Sequence, residues 1–124
     1  MSENTNIPSP ENEYILAAVS YLPLVGLLLV FTSGKRYFVR YHAGHAILIY
    51  IFSFAFLFTY IALYMFLRRI ITDTFILDTA WGLVFSIHLL VNFIYLLYCA
   101  IQAYLGSYLI IPLITKIFYK VFSR

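Results

Sequence analysis

Charge is scarce in this sequence. Asp, Glu, Lys and Arg make up only 10% of its 124 residues, whereas a water-soluble domain carries about a quarter, because water must solvate its surface. The scarcity is also uneven: the runs 14–31, 43–67 and 80–103 hold no such residue at all. Cysteine occurs once, as Cys99, which excludes an intrachain disulfide and says little about redox compartment. The first ten residues include Glu3 but no Lys or Arg. The basic start of a secretory signal is therefore missing, and the first apolar run is expected to stay in the chain. Ser53, Ser86 and Cys99 have no identifiable base and acid beside them, so nucleophilic catalysis has little support and no enzyme is expected. The net charge of +3 does not point to nucleic acid, because the basic residues flank apolar runs, where they anchor and orient helices.

What fills the sequence is apolar: 64% of residues are hydrophobic. About 20 apolar residues cross a hydrocarbon core of ~30 Å. These runs predict an all-α membrane protein, with three transmembrane helices and a C-terminal amphipathic interfacial helix. The expected organisation is a polar tail over 1–13, a three-helix domain over 14–106 with spans near 14–31, 43–67 and 80–103, and a surface helix over 107–124. Ser9, Pro10 and Glu11 read as a helix start, with a hydroxyl cap, a proline in the first turn and an acid after it. Pro23 and Gly26 predict a kink or widened turn in the first span, and Gly34 suits a C-terminal cap. Phe52, Phe54, Phe56, Phe58 and Tyr60 alternate as in a strand, but a barrel needs about eight or more strands and the chain lacks them. Asp78, followed by Thr79, is placed to cap the third helix, and Trp81 to lie at a membrane interface. No internal repeat is visible.

Beyond Gly106 the pattern changes. Leu113, Ile114, Ile117, Phe118, Val121 and Phe122 alternate in pairs with Thr115, Lys116, Tyr119, Lys120, Ser123 and Arg124. That is a helical period with an oily face and a basic face, and Pro112 opens it where proline is tolerated. As a crossing it would bury Lys116 at a cost of about 2.5–3.5 kcal/mol. As a helix on the lipid surface, with Lys116, Lys120 and Arg124 toward the headgroups, it avoids that cost; packing on a partner is the other option. Lys35, Arg36 and Arg40 flank the first loop, Lys116, Lys120 and Arg124 lie near the end, and only Arg68 and Arg69 lie between. With three spans, the basic clusters share the cytoplasmic side, the N-terminus is outside and the C-terminus inside.

His42 and His45 are three residues apart and would share a helical face, a spacing compatible with joint metal ligation. His88 would lie on the order of 15–20 Å away in depth at ~1.5 Å rise per residue. No cysteine pair or nearby carboxylate completes a zinc set, so no metal or other cofactor is expected. His88, Asn92, Tyr95, Cys99, Gln102 and Gly106 recur at alternating steps of four and three, one polar stripe along the third helix. Such a stripe faces protein or water rather than lipid. It serves either as interhelical hydrogen-bonding glue or as one wall of a polar path, which would make the chain an oligomeric pore or transport subunit.

Residues 38–46, Phe-Val-Arg-Tyr-His-Ala-Gly-His-Ala, resemble the Phe-Val-Arg-Phe-His-Ala-x-Gln-Ala signature of small bacterial and archaeal membrane proteins of unknown function. That family is similar to the Tic-twenty component of the chloroplast inner-envelope import machinery. Ala103, Gly106 and Pro112-Leu113-Ile114 resemble its closing Ala-x-x-Gly…Pro-Leu-Ile pattern. The resemblance covers nearly everything after residue 13. It implies a prokaryotic cytoplasmic-membrane protein, assisting protein translocation or membrane-complex assembly, with lipids and other membrane proteins or its own copies as partners. It marks Phe38, Arg40, His42, His45, Gly106 and Pro112 as the motif. His45 replaces the usual Gln; both residues donate and accept hydrogen bonds, though a histidine can also titrate near neutrality. Arg40 is placed to reach lipid phosphate while its stem lies in the interface.

Overall fold

The structure is a computed structural model and describes residues 10–122. Those residues form five α-helices and no strand: α1 (Pro10–Val19), α2 (Val25–Thr32), α3 (Tyr37–Leu67), α4 (Thr74–Tyr104) and α5 (Pro112–Phe122). α3 and α4 are each long and apolar enough to cross a membrane. Only 17% and 6% of their most apolar windows is buried inside the chain. A core helix of a soluble protein would be mostly covered; these two leave their apolar side chains outward.

The span expected over 14–31 is instead two helices, and the break reverses the chain. Pro23 supplies no N–H and disfavours helical geometry at Leu22. Leu24 follows in a left-handed conformation, φ 66°, uncommon for a non-glycine residue. The Ser20 hydroxyl bonds back to the Ala17 carbonyl at 2.6 Å, closing the last turn of α1. α1 runs alongside α3 in the same direction: the Tyr14 and Phe38 rings meet at 5.3 Å, and farther along the Tyr50 hydroxyl donates to the Tyr21 carbonyl at 2.6 Å. α2 returns the other way, starting against Ala46 at Gly26 and reaching the start of α3 through residues 33–36. The result is a helical hairpin that penetrates to about the level of Tyr50.

Gly26 holds the hairpin shut. A Cβ there would collide with the Ser20 carbonyl oxygen, a backbone atom that cannot move aside cheaply. Gly26→Ala is expected to cost about 1–3 kcal/mol through overpacking. Gly82→Ala in α4, where a Cβ meets nothing within 4 Å, should be neutral or stabilising. Thermal unfolding in detergent compares the two, and equal midpoints would refute the close approach.

Other boundaries also shift. α1 begins at Pro10 with Glu11 and Glu13 in its first turn, so residues 10–13 belong to a helix rather than the tail; the Ser9 cap and the remaining tail lie outside the described residues. Gly34, φ 55°, follows the C-cap Ser33 of α2 as expected. α4 is capped at Asp73, whose carboxylate accepts from the Ile76 N–H, five residues before the expected Asp78. Asp78 sits within the helix, accepting from the Tyr64 hydroxyl at 2.5 Å. The α3–α4 hairpin is closed at that end by Trp81 stacked on Tyr60 at 4.5 Å and by an exposed Arg68–Asp78 pair.

α4 ends in a Schellman turn: the Gly106 N–H bonds to Ala103 O, the Ser107 N–H to Gln102 O, and Gly106 takes φ 75°. Residues 107–111 are non-helical and run back along α3, from Tyr108 against Phe38 and Tyr41, both at 5.0 Å, to Ile111 near Ile49. α5 starts at Pro112 and descends antiparallel to α3. The surface helix expected over 107–124 is therefore shorter, and part of its oily face meets protein. Phe118 is 1% exposed, and Ile114 and Ile117 pack with it around Tyr41 and Leu48. Thr115, assigned to the polar face, is buried; Leu113 and Val121 stay exposed. Lys116 and Lys120 are exposed, and Arg124 lies outside the described residues.

Candidate functional site

The amino-terminal half of α3 is the pillar of the fold. Ten of its residues between Phe38 and Ile49 are buried, because α1, α2, the 107–111 segment and α5 all pack there. Residues 38–46, singled out in the sequence, make up most of this stretch.

His42 and His45 do not converge on a common ligand; each holds a different element. His45 Nδ1 donates to the Tyr41 carbonyl at 2.9 Å, since a carbonyl can only accept. Its Nε2 then accepts from the Thr115 hydroxyl at 2.9 Å, and the Thr115 oxygen accepts from the Ile111 N–H at 2.9 Å. The chain of bonds ties α3 to the first turn of α5 with no buried valence left over. His42 turns to α1, with Nδ1 3.0 Å from the Tyr21 hydroxyl; it lies beside the Ser107 backbone, and its buried Nε2 has no hydrogen-bond partner among the described residues. Tyr41 adds a third tie, donating to the Leu109 carbonyl at 2.6 Å. Phe38 packs on His42 at 4.6 Å, and Arg40 is half-buried near the start of α3.

Gly106 and Pro112 shape the chain reversal around this pillar. At Gly106 a Cβ would meet the Tyr14 ring at 3.0 Å, so the positive φ and the contact with α1 both favour glycine. Among the described residues, no group of three or more His, Cys, Asp or Glu is placed to hold a metal ion.

The polar stripe of α4 divides in two. Cys99 is fully buried, with Ala103, against Ala17 of α1, and Tyr95 lies beside the Cys99 thiol. Gln102 is half-buried near the turn. Toward the middle of the helix, His88 and Asn92 face α3 and meet Ser53. Asn92 Nδ2 donates to Ser53 Oγ at 2.7 Å, and Ser53 Oγ lies 3.2 Å from His88 Nε2. Phe56 stacks on the His88 ring at 4.6 Å. These side chains line an open groove of about 420 Å³ between α3, α4 and the start of α5.

Sequence reasoning missed Ser53, Thr115, Tyr21 and Tyr41. Ser53 carried a legible signal, as a hydroxyl amid the phenylalanines of α3. Tyr41 stood inside the motif of residues 38–46, but neither it nor Thr115 and Tyr21 showed its partner, because those partners are 21 to 70 residues away in the chain. Compared with family models, curated proteins and solved structures, the chain matches none.

Proposed function

We propose that the chain is a non-enzymatic integral membrane protein that acts by binding other membrane helices, in protein translocation or the assembly of a membrane complex. The observation that carries this is the uncovered stem of α3 and α4. Phe54, Phe58, Phe75, Leu83, Leu90 and Phe93 each expose more than half of their surface, and no described part of the chain lies over them. Lipid satisfies such side chains, and packing against another helix does so equally well. The translocation or assembly role rests on the resemblance of residues 38–46 and 103–114, as does residence in a prokaryotic cytoplasmic membrane.

In this reading α3 and α4 cross the bilayer, while the α1–α2 hairpin enters and leaves on the side where α3 begins. Lys116 and Lys120 face the lipid surface from the exposed side of α5. A pore along the whole α4 stripe has less support, because Cys99 and Ala103 are closed off against α1. Purification in mild detergent tests the proposal: membrane proteins should co-purify in fixed ratio and survive a salt wash. A monomer free of partners, both in detergent and in native-membrane discs, would overturn it.

A further inference from the structure

We propose that the groove at Ser53, His88 and Asn92 is the seat for one hydrogen-bonding side chain on a transmembrane helix of a partner protein. This deepens the helix-binding reading and rests on α3 and α4 crossing the membrane. Ser53 stands next to the midpoint of α3, and His88 and Asn92 bracket that of α4. Mid-bilayer is where an unmet polar group is costliest, since no water is there to answer it.

The three side chains meet one another only in part. Asn92 Nδ2 donates to Ser53 Oγ and also lies 3.3 Å from His88 Nε2; an amide nitrogen can only donate, so Nε2 is the accepting nitrogen and takes the Ser53 hydroxyl proton as well. His88 then carries its proton on Nδ1. That Nδ1–H and the Asn92 side-chain carbonyl have no partner among the described residues. One donor and one acceptor remain, both on half-buried residues that line the groove, and an amide or hydroxyl side chain answers both. Lipid headgroups do not reach this depth, and acyl chains offer no hydrogen bond.

The shape selects a helix as the carrier. The groove follows α3 from Ile49 to Phe56 and α4 from His88 to Tyr95, a length of about 10 Å, or two helical turns. It is open along its side, unlike the enclosing pocket that buries most of a small ligand. Its rim of Phe52, Phe56, Leu113 and Ile114 is apolar. A second copy cannot fill it by a symmetric face-to-face contact, because such a contact must be self-complementary and two hollows are not.

The test uses the full chain in phosphatidylcholine–phosphatidylglycerol vesicles. The probe is a leucine-rich transmembrane peptide of about 21 residues, with photo-leucine beside one central Asn, and its control replaces that Asn with Leu. The Asn peptide should be captured about three- to thirty-fold more strongly, the range expected of one interhelical hydrogen bond, with crosslinks at Phe52, Phe56 and Val91. Asn92→Leu should erase the preference by removing the acceptor. Val91→Trp, at an exposed position on the groove, should block capture with the triad and the fold intact. Equal capture of the two peptides, or a preference that survives Val91→Trp, would overturn the assignment and leave the groove a lipid-filled crease. An alkaline wash of the same vesicles reports separately on the membrane reading. Release of the chain overturns both proposals, whereas retention with equal capture overturns the groove alone.

Discussion

Cysteine tags at Ser2, Lys35 and Ser123, each in a Cys99→Ala background, should all react from one face of the membrane, and a tag at Thr72 from the other. The expectation follows from the α1–α2 hairpin. α1 begins beside Phe38 and Gly106, which lie at one end of the long helices. It turns at Pro23 and Leu24, and α2 comes back to the start of α3 after Thr32. A segment that returns to its starting level adds no crossing, so α3 and α4 alone set the parity. Basic residues then give the side. Among the described residues, Lys35, Arg36, Arg40, Lys116 and Lys120 lie toward one end and Arg68 and Arg69 toward the other, so the gathered end is the one expected to react from the cytoplasmic side. An impermeant maleimide applied to right-side-out and inverted vesicles reads the outcome. Reaction of Ser2 from the same face as Thr72 would restore a three-crossing topology and refute the hairpin.

Phe118→Ala should free α5 from α3, at a cost on the order of 3–5 kcal/mol for a buried phenylalanine. Phe118 is the most enclosed side chain of α5, 1% exposed, and it lies 5.1 Å from the ring centroids of both Tyr41 and His45. Ile114, Ile117 and the Thr115–His45 bond also touch α3, but Phe118 is the deepest of these contacts, so its loss should speed exchange of the α5 amides most. His45→Leu should weaken the same docking by about 1–3 kcal/mol, because the Thr115 hydroxyl is left buried without its acceptor. His45→Gln, which retains an acceptor, should largely preserve it. Reversing Lys116 and Lys120 to Glu touches only exposed groups, worth about 1 kcal/mol each near an anionic surface, and should leave α5 docked. Hydrogen exchange over 112–122 in nanodiscs separates these cases. Faster exchange in the charge-reversed double variant than in Phe118→Ala would mean that α5 is held by lipid rather than by α3.

Local features were legible in the sequence wherever one residue type carries its own geometric consequence. Gly34 ends a helix because left-handed backbone is cheap only for glycine, and Pro112 opens α5 because its missing N–H is not needed in a first turn. The apolar composition of 43–67 and 80–103 announced helices able to cross a membrane, since apolar length is counted residue by residue. The pairing of His88 with Asn92 followed from a four-residue step on one helix face.

What composition could not supply was direction. Eighteen uncharged residues over 14–31 read equally well as one bent crossing or as two helices folded back, because hydrophobicity scores length and is blind to reversal. The close approach of Gly26 to Ser20 and the positive φ of Leu24 decided between them, and neither is visible in a count of apolar residues. Likewise the paired pattern of 112–122 established an amphipathic helix but not what its oily face would meet; Tyr41, His45 and Leu48, about 70 residues earlier in the chain, supplied the answer. The sequence by itself determined which segments are helical and apolar, because those properties are local. Only the tertiary structure decided how many segments run the length of the stem, which histidine holds which helix, and that Ser53 joins His88 and Asn92 at a groove. Each of these depends on contacts between residues far apart in the chain.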